Sequence, residues 1–271
     1  MSSQYWDEKL AERGRKFQFD FAERTLAGRT VVVAGGSGGL GAALVALLAR
    51  EGARLIVGYR SNRARAEALA AAMQQQFGAR LALVEGDLAQ ASARKKYLDA
   101  VNAAGAPLEG VAIFPGDPAR AAFDSLDAAA MQASLEANYL APVLLAKDLG
   151  SLMESGSGGS VVLLATMQAA GVFPSSLNYA APKAALVHAA KILAAQWKRV
   201  RVNVVAPGAT IAGMAEASVR AGKYDAYVAS GAIPRFGRAE DVARAARFFL
   251  EPDNYVTGQV LVVDGGLTLR K

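Results

Sequence analysis

Two stretches of this chain hold side chains able to act together on a substrate. In NYAAPK (178–183), Tyr179 and Lys183 stand four residues apart, so on a helix they share one face. A tyrosine supplies a proton to a developing alkoxide if its pKa falls from about 10 toward neutrality, and a neighbouring ammonium favours the phenolate. The motif is short, so its weight comes from its company. Pro182 precedes the lysine. A helix beginning near Ala180 would hold that proline in its first turn, where the missing N–H costs nothing. The alternative is two ordinary residues on a helix that a proline has disturbed. Thirteen residues before Tyr179, the apolar run GSVVLLAT ends in Thr166, a hydroxyl able to donate to a carbonyl oxygen.

The second stretch is AGGSGGLG (34–41), which follows the β-branched run RTVVVA and precedes a helix-forming segment. Glycines let the backbone turn tightly and approach a pyrophosphate, and the helix N-terminus offers free N–H groups. The run parses two ways: Gly36, Gly38 and Gly41 fit GxGxxG, while Gly35, Gly39 and Gly41 fit GxxxGxG. Close strand–helix packing is the structural alternative. The next apolar run ends at GYRSNRAR (58–65), where an acidic residue would meet an adenosine ribose. Arg60 and Ser61 stand there instead, a pairing suited to a 2′-phosphate and hence to NADP, with NAD as the alternative. The other reading makes Arg60, Arg63 and Arg65 a solvated helix start. Asp87, in EGDL, suits an adenine amino group or a helix cap.

The elements that must position these groups are seven short apolar runs near 30–35, 54–59, 80–86, 110–114, 160–166, 201–206 and 259–264. Alanine-rich helical stretches separate them. Runs apolar on both faces, alternating with helices, predict an α/β fold: one doubly wound Rossmann-type domain with a seven-stranded parallel sheet covered on both faces. The domain is expected over 28–271, after an N-terminal extension, 1–27. In that extension DEKLAERGRKF reads as a short surface helix, and FQFDF (17–21) as a half-buried strand or extended arm.

Bulk composition narrows the function classes. There is no cysteine and one histidine, His188, which removes disulfides, thiolate sites and a zinc cluster. The formal charge is +6, but the basic residues are scattered, so nucleic acid is not an expected partner. No apolar run reaches membrane-spanning length and the first residues lack a signal-peptide core, which points to a cytoplasmic protein without a membrane partner. His188 lies five residues beyond Lys183, off the shared face, and reads as a packing or interface residue.

AGGSGGLG, GDL, EANYLAP, NYAAPK, VNVVAPG and the tail RFGRAEDVARAARFFLEPDNYVTGQVLVVDGG together resemble a short-chain dehydrogenase/reductase of the 3-oxoacyl-carrier-protein reductase-like branch. The likeness covers roughly 28–267. It implies Tyr179 as proton donor, Lys183 also on the nicotinamide ribose, Thr166 in place of the usual serine, and Asn138 in a water-linked proton relay. The implied cofactor contacts are Gly35, Ser37, Gly39, Leu40 and Gly41; Arg60 and Ser61; Asp87 and Leu88; Gly116; Tyr179 and Lys183; and Pro207, Gly208 and Thr210. The implied substrate is a small carbonyl or alcohol, and the implied assembly a homo-oligomer, tetramer or dimer. Two departures stand out. Ala34 replaces a threonine and IFPG (113–116) replaces Asn-Asn-Ala-Gly, so two polar segments that brace the family's central sheet are apolar here. Either apolar packing replaces the bond jointly, or the cofactor mouth is reshaped and activity altered. In the second case the chain is a catalytically impaired nucleotide-binding or assembly protein. Thr210 also comes early in PGATIAGM, and 210–232 reads as the substrate lid.

Overall fold

The computed structural model describes residues 7–18, 23 and 25–270. Seven strands form one parallel sheet among them: β1 Thr30–Ala34, β2 Arg54–Tyr59, β3 Leu81–Glu85, β4 Leu108–Ile113, β5 Gly159–Leu164, β6 Val200–Pro207 and β7 Val260–Val263. Their spatial order is β3-β2-β1-β4-β5-β6-β7, the doubly wound arrangement expected. The helices are α1 Glu8–Arg15, α2 Gly39–Glu51, α3 Arg63–Phe77, α4 Ala91–Ala103, α5 Ala128–Leu135, α6 Ala141–Ser155, α7 Leu177–Gln196, α8 Glu216–Arg220, α9 Asp225–Ala229, α10 Ala239–Leu250 and α11 Leu267–Arg270. The surface helix expected near the N-terminus is α1. Residues 19–21 of FQFDF lie outside the described residues.

Burial explains the pattern in the strands. Every residue of β1 is buried, and successive side chains leave opposite faces of the sheet. Val31 and Val33 join Leu44, Leu48 and Phe249 in one apolar layer, whereas Val32 and Ala34 join Leu145, Leu149 and Leu186 in the other. The edge strands β3 and β7 are only partly buried.

Strand order reverses between β1 and β4, which pair in register from Val31↔Gly110 to Ala34↔Ile113. In open α/β sheets a crevice opens beyond the carboxyl ends of the strands at such a switch point. The chain turns there at Gly35 (φ 71°), and a Cβ on that residue would sit 3.1 Å from the Pro115 ring. The glycine loop and IFPG therefore share the floor of one crevice. At these two departures the packing is apolar: Ala34 and Phe114 are both buried, and the Phe114 N–H donates to the Ala34 carbonyl at 3.1 Å. Apolar contact and a main-chain bond stand where side-chain polarity was lost.

Candidate active site

The glycine loop ends at the N-terminus of α2, whose cap, Gly38, supplies no side-chain hydrogen bond. The first N–H groups of that helix are therefore not spent on a side chain. Three glycines are required by close approach. A Cβ on Gly39 would lie 2.7 Å from the Gly213 nitrogen, one on Gly36 2.8 Å from a Val57 methyl, and one on Gly41 would collide with the Gly35 carbonyl. Gly35, Ser37, Gly39, Leu40 and Gly41 line a cleft of about 300 Å³ with Tyr59, Arg60, Asp87, Leu88 and Gly116. A bare helix N-terminus, a backbone pared to glycine and a free guanidinium fit a dinucleotide.

The three arginines after β2 have separate fates. Arg63 pairs with Glu85, which also accepts from the Tyr59 hydroxyl at 3.0 Å. Arg65 Nε donates to the Ser37 carbonyl at 2.7 Å and so ties α3 to the glycine loop. Arg60 is exposed and lines the cleft with no ion pair among the described residues. Ser61 is exposed and lies outside the cleft lining. Asp87 lines the cleft while its Oδ1 accepts from the Ala89 N–H at 3.0 Å, a local turn; it does not cap α4, whose N-cap is Gln90.

A second cavity, of about 460 Å³, opens beside Thr166, Tyr179, Pro207, Gly208 and Thr210. Leu40, Leu164 and Met214 line both cavities. Gly208 packs so closely on Asp264 that a Cβ would lie 2.6 Å from the aspartate's own. Thr210 is buried and spends its hydroxyl on the Gly208 carbonyl at 3.0 Å. His188 is exposed on α7 and lines neither cavity.

Tyr179 and Lys183 lie on α7, which begins at Leu177 rather than near Ala180. Pro182 is therefore inside the helix, and Asn178 O cannot receive the usual bond from position 182. The Ser134 hydroxyl of α5 donates to that carbonyl instead. The same hydroxyl accepts from Asn138 Nδ2 at 3.1 Å. Pro174, in the 3₁₀ turn Pro174–Ser176, occupies the helix-entry position that Pro182 was expected to hold.

Asn138 sits in a π-helical turn, Glu136–Leu140, between α5 and α6. Pro142 accounts for it: without an N–H it cannot bond the Asn138 carbonyl, and the Ala141 N–H reaches back to Glu136 instead. The Asn138 side chain is fully buried and clamps the main chain of Asp117, accepting from its N–H and donating to its carbonyl, both at 3.0 Å. A Cβ on Gly116 would lie 2.8 Å from Asn138 Oδ1 and 3.1 Å from Lys183 Nζ. Asn138, Gly116 and Lys183 are thus neighbours.

Lys183 is buried and its Nζ donates to the Leu164 carbonyl at 2.8 Å. Burial pulls its pKa down to about 7. Tyr179 goes the other way: burial pushes it up to about 12, the Thr166 hydroxyl works against that rise, and the Asp117 carboxylate adds to it. The expected lowering of Tyr179 by a lysine ammonium is not realised here. Desolvation dominates both groups and weakens the charge that would have coupled them. At neutral pH the tyrosine carries its proton, the form that can donate it.

Sequence reasoning missed Asp117, Ser134 and Asn178. Ser134 and Asn138 are four apart on a helix, which was a readable signal for a shared face. Asp117 and Asn178 gave none, because they meet only through the fold.

The chain has relatives among known proteins. Residues 34–268 match a family model described as enoyl-(acyl carrier protein) reductase. An uncharacterized oxidoreductase of Methylorubrum extorquens is 31% identical over 251 residues, covering 89% of this chain and 98% of that protein. An NADPH-dependent aldehyde reductase-like chloroplastic protein of Arabidopsis thaliana is 29% identical, covering 89% of this chain and 94% of its own. The solved structure of a short-chain type dehydrogenase/reductase from Mycobacterium ulcerans superposes with a TM-score of 0.85 at 27% identity, covering 91% and 92% of the two chains. Among the described residues no helix is long and apolar enough to cross a membrane. The chain belongs to the short-chain dehydrogenase/reductase family, oxidoreductases acting on carbonyl and alcohol groups.

Proposed function

We propose that this protein is an NADP-dependent reductase of a ketone, with Tyr179 as proton donor, working also on the corresponding secondary alcohol in reverse. The observation that carries the reading is Tyr179 beside Thr166 in a cavity that shares Leu40, Leu164 and Met214 with the cleft lined by the glycine loop. The nicotinamide, when bound, supplies the hydride. The chain does the rest. Thr166 offers its hydroxyl to the substrate oxygen, and Tyr179 gives that oxygen a proton as negative charge develops. Lys183, Gly116 and the Asn138 clamp hold the floor beneath them.

The preference for NADP rests on Arg60, which lines the cleft without an ion-pair partner among the described residues, and draws support from the Arabidopsis relative's NADPH dependence. Glu85 is occupied by Tyr59 and Arg63, so it is not offered to a ribose. A 3-oxoacyl thioester falls within the same carbonyl chemistry. Exposed Met131 and Leu135 on α5, Leu140 in the π turn, Leu144 on α6 and Ile192 on α7 suit a homo-oligomer.

The test is a titration with NADPH and NADH, followed by turnover of a ketone panel by the native protein and by Tyr179→Phe. Tighter NADPH binding and turnover lost in the variant are expected. Binding of neither nucleotide, or undiminished turnover by the variant, overturns the reading.

A further inference from the structure

The cavity beside Tyr179 is lined by two cations, Arg120 and Lys223, and by no carboxylate. Neither cation has an ion pair among the described residues, although ten of the twelve ion pairs there use an arginine and the other two a lysine. Arg120 Nη2 donates to the Met214 carbonyl at 3.1 Å and reaches the Ser218 hydroxyl at 3.5 Å, while Nε and Nη1 make no hydrogen bond among the described residues. Lys223 Nζ lies 5.8 Å from the centre of the Tyr224 ring, which also lines the cavity.

Arg120 is held in place by a built loop. Ala119, the residue before it, has φ 46°, a left-handed conformation that is strained for a non-glycine residue and persists only where neighbours enforce it. Two side chains enforce it. Asp117 Oδ1 accepts from the Ala119 N–H at 2.8 Å, and Asn178 Nδ2 donates to the Ala119 carbonyl at 3.1 Å. Asp117 is itself clamped by Asn138, and Asn178 is the residue before Tyr179. The groups that frame the reacting end thus also fix where Arg120 leaves the backbone. Strained conformations of this kind gather at ligand clamps. A planar guanidinium with a free edge matches a carboxylate or phosphate.

We propose that the substrate is an anionic carbonyl compound, its carboxylate or phosphate held by Arg120 and Lys223 while its carbonyl lies at Tyr179. This inference rests on the hydride-transfer reading above. The cavity of about 460 Å³ is in the range that encloses a small organic molecule.

The test uses oxo-acids of four to eight carbons, each paired with its methyl ester, and 4-oxopentyl phosphate. Reduction by the native protein is compared with Arg120→Gln and Lys223→Gln, and binding of hexanoate, methyl hexanoate and inorganic phosphate is followed by calorimetry. The expected result is a kcat/KM at least about tenfold higher for an acid or the phosphate than for a neutral ester. In the variants that ratio should collapse toward one, mainly through KM. Equal use of acids and esters by the native protein overturns the proposal, as does an acid-to-ester ratio unchanged in the variants. If no carbonyl compound turns over, calorimetry separates the two ideas. Hexanoate or phosphate binding that the variants abolish upholds the anion site and sinks the hydride reading. Binding that is absent, or indifferent to the variants, sinks the anion site.

Discussion

Replacing Ser134 by alanine removes the donor that serves the Asn178 carbonyl, and Pro182 has no N–H to take its place. Ser134 is 2% exposed, so water does not fill the gap. Leaving one buried acceptor unpaired costs about 1–3 kcal/mol. Asn138 Nδ2 keeps its bond to Asp117, so the loss on that side is smaller. For a chain of this size about 2 kcal/mol lowers Tm by about 4–8 °C. The informative partner is Pro182→Ala. Alone it costs up to about 1 kcal/mol, by loosening the unfolded chain. Combined with Ser134→Ala it restores a main-chain N–H opposite Asn178, so the double variant should be more stable than the two single losses predict by about 1 kcal/mol. Urea denaturation of the four proteins, with unchanged m-values, reads the coupling directly. Strict additivity, or a neutral Ser134→Ala, would falsify the claim that the serine substitutes for the proline's missing donor.

Three further outcomes follow from the site. Arg60→Ala should lower the NADPH-to-NADH binding ratio by about tenfold or more while leaving NADH binding little changed, as fluorescence titration would show. Gly39→Ala should abolish nucleotide binding without unfolding the sheet, because its Cβ would lie 2.7 Å from the Gly213 nitrogen; circular dichroism with the same titration checks both halves. Lys183 has a folded pKa of about 7 against an ordinary value of 10.5. The buried ammonium is a full cost below the folded value, and the unfolded chain holds the extra proton only between the two, so stability from this group rises with pH across that window. Lys183→Met, which removes the cost, should therefore gain stability relative to the native protein at pH 6 compared with pH 9.5, by urea midpoints at the two values.

The strands and their parallel order were legible because each is a short, largely apolar run between helix formers, the composition that burial in a covered sheet favours. The Tyr179–Lys183 face was legible because helical spacing is local. The start of α7 was not. Two prolines compete for the helix-entry signal, and only the tertiary contact with Ser134 makes Pro182 tolerable inside the helix. The π turn at Asn138 was readable from Pro142 in principle, since both lie in EANYLAP. The electrostatics were not readable, because desolvation of Lys183 depends on the depth at which Leu164 and Gly116 enclose it. Arg120 was invisible for a related reason: nothing near it in sequence says that Asn178, 58 positions later, bends its loop.

The shared wall of Leu40, Leu164 and Met214 has a consequence for inhibitor chemistry. Two cavities that meet along three apolar side chains can be filled by one molecule with a short greasy waist, needing no long tether between its halves. Joining a fragment from each side turns the second contact into an intramolecular event at high effective concentration. Such a compound would draw its selectivity from the acid-free cavity and its tightness from the join.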